Sequence, residues 1–360
     1  MDRLIELIKE KGNPTVVGLD PRPELIPGQL IDQARDGTRQ SLAAAGIPDD
    51  DAGSRDDQVQ AIWAHHLARA YLEFNLAVIA GVSDLVPAVK PQIAMYEALG
   101  PSGVEAYTGT CRAAADRGLY VIGDIKRGDI GSTASAYAAH LSGLPLTWEE
   151  ARREGGGRWQ GRTRSMQGHG FPWYEDAITV NPYLGSDGLD PFIQAAQEAD
   201  GDLFVLVHTS NPSSKQIQEL QVSGDSTDGG MLFEHLAGMV EDWGAASRGG
   251  YGYSRLGAVV GATHPQAGST LRRAMPHTFF LVPGYGAQGG SARDVVPMFD
   301  AEGRGAIVNS SRGIIAAWRK DQAYTPALSL PAALRLVTDA ARRATQAMKD
   351  DLNQALKENR

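Results

Sequence analysis

Only one cysteine, Cys111, occurs among 360 residues, so no internal disulfide can form; it sits in the helical pattern VEAYTGTCRAAADRG and reads as a small buried hydrophobe. The N-terminal stretch MDRLIELIKEKGN has no apolar run of signal-peptide length, and nowhere do eighteen uncharged apolar residues stand together. Neither a secretory leader nor a membrane span is expected. No long Lys/Arg run offsets a net charge of −9 and a pI of about 5.4, which argues against binding to a phosphate backbone. Nucleic acid and membrane are therefore not expected partners, and a cytoplasmic globular protein is. Composition decides little else: 42% hydrophobic and 21% charged residues are ordinary, and the length suits one large α/β domain or two smaller ones.

The most informative stretch is Val121–Thr133, VIGDIKRGDIGST. The apolar run Leu119–Ile122 predicts a buried strand, and it leads directly into Asp124, Lys126 and Asp129. Side chains alternate along a strand, so Asp124 and Lys126 share a face, while Asp129 lies past Gly128 in the following loop. Taken alone, D-x-K-x-x-D is more often a salt-bridged surface loop, because three charges in six residues are common. The rest of the chain shifts that balance.

Thr15–Pro23 (TVVGLDPRP) predicts a strand ending in Asp20, and Leu85–Lys90 (LVPAVK) one ending in Lys90. Five more strands are expected at Ala177–Pro182, Leu203–His208, Leu256–Ala262, Thr278–Pro283 and Gly305–Asn309, with helical apolar spacing between them. Eight short apolar strands alternating with helices, and with polar or glycine-rich residues just after the strands, predict a (β/α)8 TIM barrel of the α/β class. The amphipathic helix Met1–Lys11 is expected to close its bottom. Such a barrel needs ~250 residues. We therefore expect a barrel over residues 1–320 with irregular polar surface insertions near 31–57 and 145–176, and a C-terminal helical extension, 321–360, docked on it.

The loops after strands 7 and 8 of such barrels often hold a phosphate with backbone N–H groups and glycines. Here those loops are PGYGAQGG, from Pro283, and NSSRGII, which contains Arg312 and Gly313. Arg312 can offer a bidentate fork to a phosphate dianion and Gln288 an amide donor. At the other side of the same rim, strands 1 to 3 end in Asp20, Lys90 and the Asp124/Lys126/Asp129 set. His65 and His66 have no partner at metal-ligand spacing, no His/Cys/Glu set of that kind accompanies the charges, and no Ser-His-Asp order is present, so no metal is expected. Fixed-charge chemistry on a small phosphorylated substrate is the expectation.

The segments GLDPR (Gly18–Arg22), AVKPQ (Ala88–Gln92), DIKRGDIGST (Asp124–Thr133), HTSNP (His208–Pro212), VPGYGAQGG (Val282–Gly290) and NSSRGI (Asn309–Ile314) together resemble orotidine 5'-monophosphate decarboxylase, in the long bacterial form of the family. The resemblance runs in order over nearly the whole barrel. It implies decarboxylation of orotidine 5'-monophosphate to UMP and CO2, the last step of de novo pyrimidine synthesis, without cofactor or metal, in a homodimer with shared active sites. It further implies that Lys126 stabilises and then protonates the C6 carbanion, with Asp124 beside the substrate carboxylate. Lys90 and Asp20 would complete the charge network and hold ribose hydroxyls, and Asp129 and Thr133 would reach into the neighbouring subunit's site. Ser210 would bind the pyrimidine, Gln288 the phosphate and base, and Arg312 the phosphate, with Pro283 and Gly313 in the substrate-binding loops.

Two other readings stand beside this one. A Mg2+-dependent sugar-phosphate decarboxylase or aldolase of the same superfamily shares D-x-K-x-x-D but would need acidic metal ligands after strand 2, where this chain has Lys90, Pro91 and Gln92. A non-catalytic nucleotide-binding barrel would be expected to lose the charged set, which is complete here.

Overall fold

A computed structural model describes residues 1–48, 57–145, 171–222, 230–286 and 289–359. Eight parallel strands close into a barrel: β1 (Thr15–Leu19), β2 (Ala88–Pro91), β3 (Tyr120–Arg127), β4 (Ala177–Val180), β5 (Asp202–His208), β6 (Leu256–Val260), β7 (Phe280–Val282) and β8 (Ala306–Ser310). Each pairs with its sequence neighbours, and β8 pairs with β1 through Thr15 and Val308. The chain is thus a (β/α)8 TIM barrel.

The strands are apolar throughout because both faces are buried. Val16, Ile122, Phe204, Leu281 and Ile307 fill the barrel interior together with Leu4 and Ile5 of the helix Asp2–Lys11, which closes the bottom. Their sequence neighbours Val17, Val121, Val205, Val282 and Val308 face outward onto the helical ring. Burying each such side chain stabilises the fold by about 1.5–3 kcal/mol.

β3 departs from expectation. The apolar run stops at Ile122, but pairing continues past Asp124 and Lys126 to Arg127, opposite Val180. The register shifts between Gly123 and Arg127, and Lys126 has φ 46°, left-handed backbone unusual for a residue with a Cβ. An irregularity of this kind bends a strand and re-aims its side chains.

The expected irregular insertion near 31–57 is in part a helix, Gly28–Ala44. Leu30, Ala34, Thr38 and Leu42 recur at the four-residue spacing of one helix face and are all buried; residues 49–56 lie outside the described residues. Of the stretch 145–176, residues 146–170 also lie outside them. Its end is anchored in the wall: Trp173 stacks on His140 at 4.0 Å, and the buried Glu175 accepts a hydrogen bond from Tyr107 and lies 2.8 Å from His140 Nδ1. The helix Leu330–Glu358 lies along the helix Asp57–Val82; Thr338 Oγ1 donates to Ala77 O at 2.9 Å, and Arg342 forms a bidentate pair with Asp84 at 2.7 and 2.8 Å. Among the described residues no helix is long and apolar enough to cross a membrane.

Candidate active site

A cavity of about 660 Å³ opens where the strands end. Asp20 enters it after β1, Lys90 from β2, Asp124 and Lys126 from β3, Thr179 from β4, and Ser210 after β5. Pro283 and Arg312, from the loops after β7 and β8, line the opposite side. Barrel closure thus gathers residues nearly 300 positions apart in sequence at one rim, the end where this fold places catalysis.

Asp124 is the hub. Lys90 Nζ donates to its Oδ2 at 2.5 Å, and Lys126 Nζ donates to its Oδ1. Thr179 Oγ1 also donates to Oδ1, at 3.0 Å, while accepting the Lys126 backbone N–H at 2.9 Å. Thr179 therefore ties the irregular turn of β3 to the carboxylate. Burial by itself would raise the Asp124 pKa, but the two ammonium groups outweigh it and hold the carboxyl far below its ordinary range. Burial would likewise lower the Lys90 pKa, but Asp124 and then Asp20 outweigh that and raise it. Both groups are charged at neutral pH.

Exposure separates the two lysines. The Lys90 side chain is 6% exposed, whereas that of Lys126 is 43% exposed and faces a cavity. Asp20 Oδ1 is buried and has no hydrogen-bond partner among the described residues. An acceptor in that state on a cavity wall is ready for a ligand's donor.

On the opposite side Gly284, Gly286 and Gly289 have φ of 104°, 71° and 98°, so the turn after β7 needs glycine at all three. Gly286 N donates to Gly290 O at 2.8 Å and closes the loop. Gly18 admits the neighbouring loop: a Cβ there would sit 1.7 Å from Ser311 Oγ, next to Arg312.

Asp20, Lys90, Asp124, Lys126, Ser210, Pro283 and Arg312 thus meet around one cavity. Gly313 lies in the one-turn helix Arg312–Ile315 without lining the cavity, and Gln288 falls outside the described residues. Asp129 and Thr133 stand apart from this chain's own cavity: Asp129 Oδ1 accepts the Ile130 N–H at 2.8 Å, and Thr133 is exposed on the helix Gly131–Ser142. Thr179 and Gln218 are cavity residues that the sequence reading missed. A lone polar residue in the apolar run AITV was a usable signal for Thr179. Gln218 had none, since only the fold brings it against Thr209, whose N–H it accepts at 2.9 Å.

Fixed charges on three adjacent strands, opposite a glycine-rich turn and an arginine, define the chain as a (β/α)8 barrel enzyme with its site at the C-terminal rim. Residues 161–325 match the family described as orotidine 5'-phosphate decarboxylase / HUMPS. An orotidine 5'-phosphate decarboxylase of Rhodopirellula baltica is 38% identical over 345 residues, covering 96% of each chain. One from Caldicellulosiruptor bescii is 36% identical over 320 residues, covering 88% of this chain and 90% of that one. The solved structure of Leishmania donovani OMP decarboxylase aligns at a TM-score of 0.63 and 26% identity, covering 99% of this chain and 98% of that one. The chain belongs to the orotidine 5'-phosphate decarboxylase family.

Proposed function

We propose that this chain decarboxylates orotidine 5'-monophosphate to UMP and CO2, the last step of de novo pyrimidine nucleotide synthesis, by a lysine–aspartate charge network and without a cofactor. The observation that carries the reading is the Lys90–Asp124–Lys126 array, joined by hydrogen bonds and facing a cavity whose far side is a glycine-rich turn and Arg312.

In this mechanism the phosphate is held by the turn after β7 and by Arg312, and Ser210 meets the pyrimidine. Asp20 Oδ1 accepts from a ribose hydroxyl, with Lys90 beside it. Asp124 then faces the substrate carboxylate as a like charge, an unfavourable contact relieved when CO2 leaves. The C6–carboxylate bond breaks, its electron pair stays on C6, and the Lys126 ammonium stabilises that carbanion from a fixed position. Lys126 then transfers a proton to C6, giving UMP, and is reprotonated from water. A preplaced cation is effective here because it needs no reorganisation as charge develops.

The proposed assembly is a homodimer with shared sites. Asp129 and Thr133 lie away from their own cavity, on a loop and helix that also expose Ile130, so a second copy is their proposed recipient. Mixing an Asp129→Ala variant with a Lys126→Ala variant should restore part of the activity that each lacks, by forming sites intact in both respects; no recovery after verified subunit exchange would sink the shared site. The proposed location is the cytoplasm, consistent with a buried, unpaired Cys111. The Mg2+-dependent alternative is not favoured, because Lys90 stands where metal carboxylates would be needed and is already bound to Asp124.

The deciding experiment follows the loss of orotidylate absorbance after chelator treatment, beside a Lys126→Ala variant. Turnover that survives the chelator and vanishes in the variant is expected. No turnover by the unmodified protein, or turnover only with added Mg2+, would refute the assignment.

A further inference from the structure

Behind the Ser210 loop, three side chains from separate segments converge. His208 ends β5, Glu219 follows the short helical turn Pro212–Gln216, and His264 lies between β6 and the helix Pro265–Ala274. One ligand atom from each lies within 4.8 Å of the other two. His208 Nε2 and Glu219 Oε1 are 3.3 Å apart, and the two imidazole rings lie 4.3 Å apart, centroid to centroid. None of the three lines the active-site cavity.

Two features set this cluster apart from a packing contact. First, His264 Nε2 is buried and has no hydrogen-bond partner among the described residues. A buried imidazole nitrogen left unpaired is costly, and coordination satisfies a nitrogen acceptor as a hydrogen bond does. Second, 3.3 Å is long for a hydrogen bond to a carboxylate, where about 2.7–2.9 Å is usual, yet it is the spacing of two ligands on one ion. Tetrahedral bonds of about 2.0 Å place ligand atoms about 3.3 Å apart.

We propose that His208, Glu219 and His264 form a binding site for one first-row transition-metal ion, Zn2+ in the first place. Two imidazoles and one carboxylate suit Zn2+ or Co2+, whereas Mg2+ and Ca2+ take oxygen ligands. The three-ligand set leaves a fourth position for water. His264 and Glu219 are only partly buried, which leaves their side chains room to draw the set closer than 4.8 Å.

The ion's role is positional. The segment it would pin, 209–219, carries Ser210 and Gln218 into the cavity, and Thr263 Oγ1 already donates to Ser210 O at 3.3 Å. The ion sits outside the charge network, so decarboxylation in the presence of a chelator and metal binding here are separate questions, each able to fail alone.

The test uses full-length, tag-free protein stripped with a chelator and dialysed. Calorimetric titration with Zn2+ should show one equivalent per chain, Co2+ should give the visible absorption of a tetrahedral site, and Zn2+ should raise the melting temperature. Glu219→Gln and His264→Phe, both at partly exposed positions, should each weaken Zn2+ binding at least tenfold and abolish the melting shift, with an unchanged far-ultraviolet circular dichroism spectrum. Failure of the stripped protein to bind Zn2+ at micromolar concentration, or equal binding by both variants, would overturn the site.

Discussion

Each end of the barrel buries a carboxylate among polar partners, but the two are wired differently. At the bottom, Asp202 Oδ2 accepts from Tyr120 Oη at 2.5 Å, its Oδ1 pairs with the Met1 nitrogen, and Arg255 approaches at 3.8 Å. Asp176 beside it pairs with Arg3 and accepts the Val121 N–H at 2.8 Å. These acceptors are matched, and Tyr120 stays neutral, its pKa raised by burial and then by Asp202 and Asp176. At the top, Asp124 binds two ammonium groups, one of which faces a cavity, while Asp20 Oδ1 is left without a partner. Similar groups thus serve closure at one end and chemistry at the other. What differs is whether the network is complete without a ligand.

Lys126→Ala tests the upper network most severely. Loss of the proton donor alone should cost about 10²–10⁴ in kcat, and loss of the preplaced cation about 10²–10³ more. The melting temperature should move little, because Lys126 is half exposed and an exposed ion pair contributes only about 0–1 kcal/mol. An unfolded Lys126→Ala protein would mean that the top is a structural network after all.

Asp124→Asn should damage both properties. It leaves the buried Lys90 ammonium without its main partner, a situation that costs about 3–5 kcal/mol, and it removes the carboxylate proposed to face the substrate. The pH dependence follows from the direction of each shift. Asp124 has a folded pKa below its ordinary value of about 3.9, so its stabilisation is fully present above that pH and fades as the pH falls toward the folded value. Lys90 has a folded pKa above its ordinary value of about 10.4, so its stabilisation is present below that pH and fades as the pH rises through the folded value. Between about pH 5 and 9 these two groups should leave the melting temperature flat, and Asp124→Asn should remove the Asp124 contribution to the acid limb in a melting series.

Tyr120→Phe sharpens the contrast from below. Removing the hydroxyl leaves Asp202 Oδ2 short of a donor in the core, at a cost of about 1–3 kcal/mol, with kcat and KM unchanged. A large fall in kcat without loss of stability would show that the two ends are coupled.

The barrel was legible because its strands are buried on both faces: runs such as LFVLVH and LGAVV carry no polar interruption that would disguise them. Asp20, Lys90 and Arg312 could be placed because each stands where an apolar run stops. The helix Gly28–Ala44 was not, since its few buried positions are scattered among Asp, Arg, Gln and Gly, and the composition masks the spacing. The left-handed turn at Lys126 was also hidden: nothing in GDIKRG marks a register shift, which arises from pairing against β4. The His208–Glu219–His264 cluster shows the same limit, for its three segments meet only once the barrel has closed.

The smallest effect concerns how the top is held in place. Tyr285 lines the cavity from the turn after β7, and its hydroxyl donates to Asp351 Oδ2 at 2.6 Å, on the C-terminal helix Leu330–Glu358. Burial and then this bond raise the Tyr285 pKa, so the phenol is a neutral donor at any working pH. The helix therefore braces the turn proposed to bind phosphate. In Tyr285→Phe the turn keeps its glycines and its closing Gly286–Gly290 bond but loses the brace. A net hydrogen bond of about 1 kcal/mol corresponds to roughly a fivefold change, so KM for orotidylate should rise about three- to tenfold while kcat stays within about twofold. Steady-state kinetics would decide: a fall in kcat with KM unchanged would place Tyr285 with the charge network instead of the binding turn.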